Sequence, residues 1–329
     1  MTQSTTDPAA DLAGHFERFV LDREWTFLNH GSFGACPAEV LRHQDGLRAR
    51  IERQPVQFFA RDLQPLLDDA LRELAALCGA QAEDLCFVPN ATAGVNAVLR
   101  SLRLEPGDEL LTTDHVYNAC KNALEFVAAQ HGAVVVIAPV PFPLADPAQI
   151  TETVLARVTA RTRLALLDHV TSPTALVFPV AELVAALSAR GVDTLVDGAH
   201  ALGMLPLDLD RLGAAYYTAN CHKWLCAPKG AAILHVRRDR QAQIRPPCIS
   251  HGANAPLSSG RSRYRLEFDW TGTTDPSSAL CAPVAARFLG GLLPGGLPAL
   301  QERNHDLAVT AQALLCEAFA VAPPCPPSL

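Results

Sequence analysis

The stretch YYTANCHKWLCAPKGAAILHV, residues 216–236, sets two apolar runs on either side of a short loop. With their flanking alanines, the runs "AAYYTA" and "AAILHV" read as buried strands. Between them Lys223 stands next to His222 and Trp224, in a cysteine-flanked apolar setting rather than among other charges. A lysine removed from water loses its proton more readily, which frees its amine to act as a nucleophile.

Working outward, the same strand signal recurs at regular intervals. "DLCFVP", "DELLTT", "AVVVIAPV", "RLALLDHV" and "DTLVD" are short apolar runs from residue 84 onward. They alternate with helical stretches: "ATAGVNAVLRSL", "NACKNALEFVAAQHG" closed by Gly132, "PAQITETVLARVTA" and "PVAELVAALSARG". Strands that are apolar throughout and alternate with helices predict an α/β fold, a mostly parallel sheet with helices on both faces. Residues 36–79 read as mostly helical, and residues 297–321 as one long amphipathic helix. The end, "APPCPPSL", is too proline-rich for a packed strand or helix interior.

Bulk composition narrows the function. Of 329 residues, 49% are hydrophobic and 19% charged, and the formal net charge is −7. That balance argues against nucleic-acid or anionic-membrane partners, which require a basic face. No window approaches the apolar length of a membrane span, and the polar start, "MTQSTTDPAADLAGHFERF", carries no signal-peptide core. The ten cysteines are scattered without a CxxC pair and read as reduced, in a cytoplasmic setting.

In an open parallel sheet, ligands bind in the loops at the carboxyl ends of the strands. Asn90-Ala91-Thr92-Ala93-Gly94 opens a helix there, so its backbone N–H groups suit a phosphate, or else form a plain capped turn. Asp114-His115-Val116-Tyr117 offers rings that could cover a flat ligand, or an ordinary helix entry. Thr171 and Ser172 offer hydroxyls, or a simple turn. Asp197, in Asp197-Gly198-Ala199-His200, puts a carboxylate at the end of a buried strand, which is costly unless it is paired. GxGxxG after an early strand and GxxxxGK[ST] are both absent, and Asp197, His200 and His222 lack metal-like spacing. A desolvated lysine, a buried aspartate and a phosphate-sized helix start together are what pyridoxal phosphate needs: a Schiff-base amine, a partner for the pyridine nitrogen and a phosphate cradle.

Six segments in order resemble the class V aminotransferase superfamily, in its isopenicillin N epimerase-like branch. They are LNHGSFGACP (28–37), NATAGVNAV (90–98), TSPTALVFPV (171–180), DGAHALG (197–203), HKWLCAPKG (222–230) and DWTGTTDPSSA (269–279). The resemblance implies a fold type I homodimer with active sites at the subunit interface, binding pyridoxal 5′-phosphate. It implies that Lys223 holds the cofactor, that Asp197 faces the pyridine nitrogen and that His200 lies close to the ring or its O3′ side. Thr92, Ala93 and His222 would form the phosphate cup, joined by Thr273 of a second subunit. Ser172 would lie near O3′, Tyr117 or His115 over the ring, and Asn29 and His30 at the substrate entrance. The implied domains are an N-terminal segment (1–35), a large domain (36–285), and a long helix opening a truncated small domain (286–329). A late arginine that grips the substrate carboxylate in such enzymes has no counterpart here, leaving Arg61, Arg261, Arg263 and Arg265 as substitutes. The implied reaction is epimerisation or β-elimination on an amino acid or small peptide. Alternatives are a C–S lyase of the hercynylcysteine sulfoxide type and a PLP-binding chain with little turnover.

Overall fold

The computed structural model describes residues 14–257 and 260–329. All seven strands form: β1 (Leu85–Val88), β2 (Glu109–Thr113), β3 (Val134–Ala138), β4 (Thr162–Asp168), β5 (Asp193–Asp197), β6 (Tyr216–Asn220) and β7 (Ala232–Val236). They lie in one sheet in the order β1-β7-β6-β5-β4-β2-β3. Every neighbouring pair from β3 to β6 is parallel, whereas β7 runs antiparallel to both β6 and β1. The reversal of β7 follows from its connection. Residues 221–231 form a loop rather than a crossover helix, and a parallel return needs such a crossover.

The helices used below are α1 (Ala38–Arg53), α2 (Leu63–Cys78), α3 (Ala91–Leu99), α4 (Asn118–His131), α5 (Ala148–Leu155), α6 (Val180–Ser188), α7 (Arg263–Phe268), α8 (Ser277–Gly290) and α9 (Gly296–Phe319). Alternation along the strands divides the core in two. Leu110, Leu164, Leu166, Leu195, Tyr216 and Leu234 pack with Val95 and Val98 of α3 and Leu124 and Val127 of α4. Leu111, Ala165, Leu167, Val196, Tyr217 and Ile233 pack with residues of α1, α2, α6 and α8 on the other side. Period-2 patterning thus gives each face its own apolar set, as a doubly covered sheet requires.

Two terminal features position or flank the site. Residues 29–35 lie across the lysine loop: Gly34 N–H donates to the His222 carbonyl at 3.0 Å, and Lys229 Nζ donates to the Gly34 carbonyl at 2.6 Å. A Cβ at Gly34 would stand 2.1 Å from the Lys223 carbonyl oxygen, so only glycine allows this approach. At the other end, α9 packs on α8 but has no buried residue of its own. The proline-rich tail then returns to the body, where Pro324 and Leu329 accept from the amides of Leu144 and Val177. No helix among the described residues is long and apolar enough to cross a membrane.

Candidate active site

Strand register builds the floor of the site. Asp168, Asp197 and Thr218 are direct neighbours at the carboxyl ends of β4, β5 and β6. They share parity with Leu166, Leu195 and Tyr216, so all three face α3 and α4. Gly94 lets α3 come down on this row, since a Cβ there would meet Thr218 Oγ1 at 2.4 Å. Asn220 accepts from the Ala91 amide at 2.9 Å and ties the end of β6 to the start of α3.

A cavity of about 470 Å³ opens above this row. Its walls include Asn90, Ala91, Thr92, Tyr117, Asp168, Ser172, Asp197, His200, His222 and Lys223, and Gly31–Phe33 close one side. Lys223 Nζ lies 3.0 Å from His200 Nε2 and 6.0 Å from the centre of the Tyr117 ring. Burial holds the Lys223 amine below the usual lysine range, against the opposing pull of Asp197, Cys120 and Asp168. The same burial, helped by Lys223, brings His200 down to about 4.

The two aspartates differ in how they are held. Asp197 accepts from the Ala199 amide at 3.0 Å and the Cys120 thiol at 3.2 Å. Asp168 Oδ2 is buried without a partner. Burial raises both carboxyls, and the neighbouring Asp197 charge raises Asp168 further. Asp168 is pushed up the further of the two, although backbone donors including that of Tyr117 oppose the shift, so Asp197 is the more acidic carboxyl of the pair and Asp168 the one that holds its proton to higher pH.

The helix start behaves partly as a plain cap. Asn90 Oδ1 accepts from the Ala93 amide at 2.9 Å, so Ala93 is engaged locally while Thr92 lines the cavity. Other candidate residues lie elsewhere. His115 is buried between the Thr174 hydroxyl (2.8 Å) and the Val140 carbonyl (3.1 Å), and does not line the cavity. Asn29 bonds Ser32 within its own turn, and His30 stacks on Trp224. Thr273 lines a separate cavity with Arg48, Glu52 and Phe59. None of Arg61, Arg261, Arg263 and Arg265 lines the Lys223 cavity. Arg261 and Arg265 pair with Asp68 and Asp269, and Arg263 with Glu267.

Asp168 joins the cavity floor without being singled out by the sequence pattern, and Trp224 stands behind His200. The signal for Asp168 was present, because "LLDHV" ends a buried strand in an aspartate just as "LVDGA" does. The donor set fits pyridoxal phosphate: an amine whose charged form is disfavoured by burial, a buried carboxyl supported by two donors, and a threonine at a helix start. The partnerless Asp168 oxygen also fits a site whose floor is completed by a polar ligand.

Comparison with known proteins agrees. A solved apo cysteine desulfurase from Thermococcus onnurineus NA1 superposes with a TM-score of 0.78 at 18% identity, over 98% of this chain and 79% of that one. The fold is that of a fold type I pyridoxal phosphate enzyme. The family profile for aminotransferase class-V matches residues 45–317. An isopenicillin N epimerase from Streptomyces clavuligerus is 37% identical over 309 residues, 91% of this chain and 77% of that protein. A putative L-cysteine desulfhydrase from Oryza sativa subsp. japonica is 34% identical over 321 residues, 92% of this chain and 64% of its own length. The chain belongs to the aminotransferase class-V family.

Proposed function

We propose that the protein is a pyridoxal phosphate enzyme that removes the α-proton of an amino acid or small peptide, leading to epimerisation or β-elimination. The observation that carries this reading is the Lys223 amine inside a cavity floored by Asp197 and Asp168. When bound, pyridoxal phosphate supplies the electron sink that makes the substrate α-proton acidic. The chain supplies the rest. Asp197, held by the Ala199 amide and the Cys120 thiol, would pair with the ring nitrogen. Thr92, His222 and the first turn of α3 would hold the phosphate. Ser172 and His200 would serve the O3′ side and Tyr117 would cover the ring, while Lys223 is placed to take and return a proton. Asn29 and His30 hold the segment whose residues 31–33 form the entrance wall.

The same reading makes the protein a homodimer in which Thr273 reaches a second copy's phosphate end. Its support is that Thr273 lines a separate cavity in its own chain. A cytoplasmic site of action belongs to the proposal as well, since all ten cysteines are unpaired.

A second reading is favoured by the rice relative, whose name describes a desulfhydrase. In that reading a C–S bond is lost from a cysteine-like substrate, with Tyr117 as the acid at the leaving group. Incubation with pyridoxal phosphate and L-cysteine or other amino acids in deuterated water tests both readings. Deuterium at the α-carbon with inversion indicates epimerisation, and sulfide with a keto acid indicates elimination. Absence of both, together with no borohydride-sensitive visible absorption band, would overturn the proposal.

A further inference from the structure

Trp224 directly follows the reactive lysine, and its indole N–H donates to His200 Nδ1 at 3.3 Å. An indole nitrogen can only donate, so Nδ1 must be the acceptor and carries no proton. A neutral imidazole of this kind has its proton on Nε2. Nε2 is the atom that stands 3.0 Å from Lys223 Nζ. An N–H aimed at Nζ needs a lone pair there, and a protonated amine has none. Doubly protonated His200 is no way out, because its Nδ1–H would then confront the indole N–H.

We infer that Trp224 is a positioning residue: it fixes the Nε2–H tautomer of His200 and so presents Lys223 with a donor that only the uncharged amine can accept. This rests on Lys223 being the reactive amine of the proposed function, and not on which reaction follows. The surroundings hold the arrangement in place. The His30 ring stacks on Trp224 at 6.0 Å and 27°. A Cβ on Gly31 would lie 3.3 Å from His200 Cε1 and 3.5 Å from Trp224 Cζ2, so a larger residue would press on both rings. The other groups facing Lys223 are Asp197 from β5, Asp168 from β4, Cys120 from α4, Tyr117 and His222. All of them remain when Trp224 is changed.

The sequence contains three lysines, Lys121, Lys223 and Lys229, which makes the test simple. Cofactor-free wild type and Trp224→Phe are acetylated with acetic anhydride across a pH series, and each lysine is followed by mass spectrometry. Phenylalanine keeps the stacking and removes the N–H. The Lys223 midpoint should rise by about one pH unit in the variant, roughly tenfold slower labelling below the midpoint, while Lys121 is unmoved. A long-range ¹H–¹⁵N spectrum of the wild type should show His200 neutral with its proton on Nε2. A proton on Nδ1, or an unchanged Lys223 midpoint in a folded variant, would overturn the inference. If the variant does not fold, the wild-type spectrum still decides. Neither readout needs bound cofactor, so failure of the proposed function and failure of this inference are distinguishable.

Discussion

Two regions break the usual division of residues between inside and outside, in opposite ways. At the carboxyl ends of β4–β6, two aspartates are buried side by side. On α9, Leu307, Leu314, Leu315 and Phe319 are more than half exposed, and no residue of the helix is buried. Apolar groups on a surface are tolerated singly, whereas a buried carboxyl is costly unless something holds it. The first region is therefore chemically informative. Every polar atom there raises the question of what binds it, and Asp168 Oδ2 has no partner among the described residues. In the second, the exposed leucines and Phe319 are interspersed with charged residues such as Glu302, Arg303, Asp306 and Glu317, and none of its side chains is buried.

The largest expected difference sharpens the contrast within the first region. Asp197→Asn should weaken pyridoxal phosphate binding by about two orders of magnitude, as expected when one partner of a buried charge pair is removed. Asp168→Asn should stay within about threefold of wild type, because an amide resembles the protonated acid in shape. Absorbance titration with the cofactor reads both. A larger loss in Asp168→Asn would mean that the two aspartates have been assigned the wrong way round, and equal losses would contradict any difference between them.

The pH dependence of stability is a smaller and independent signature. An acid whose folded-state pKa lies above its unfolded value binds a proton on folding. Its contribution to stability is present below about pH 4 and is lost as the pH rises toward the folded value. Urea midpoints of the cofactor-free protein should therefore fall with pH more steeply in wild type than in Asp168→Asn, by up to about 1.4 kcal/mol per pH unit. Parallel curves would refute the protonated Asp168. The smallest effect belongs to α9: Leu314→Ser, at a side chain 62% exposed, should change stability by no more than about 0.5 kcal/mol.

The sequence was most legible where a pattern repeats and least where two distant residues must meet. Apolar runs alternating with glycine-closed helices located all seven strands, and Lys223 and Asp197 stood out as charged groups in apolar surroundings. The direction of β7 was less visible, since it depends on residues 221–231 being too short a span for a crossover helix. The pairing of Asp168 with Asp197 requires strand register, which composition does not carry. In the sequence Trp224 is only a neighbour of Lys223, and its bond to His200 appears only once the fold brings the two side chains together. The motif 90–94 allowed a cap and a phosphate cradle. The structure shows Asn90 as the cap on Ala93, with Thr92 left toward the cavity.

The most direct test is to incubate the protein with pyridoxal phosphate, reduce with borohydride, digest, and find which lysine carries the phosphopyridoxyl group. With only three lysines in the chain, the result is unambiguous. The expected outcome is a single modification at Lys223, lost in Lys223→Ala, whose circular dichroism should match the wild type. Modification at Lys121 or Lys229 instead, or of no lysine at all, would contradict the assignment of this cavity as the active site.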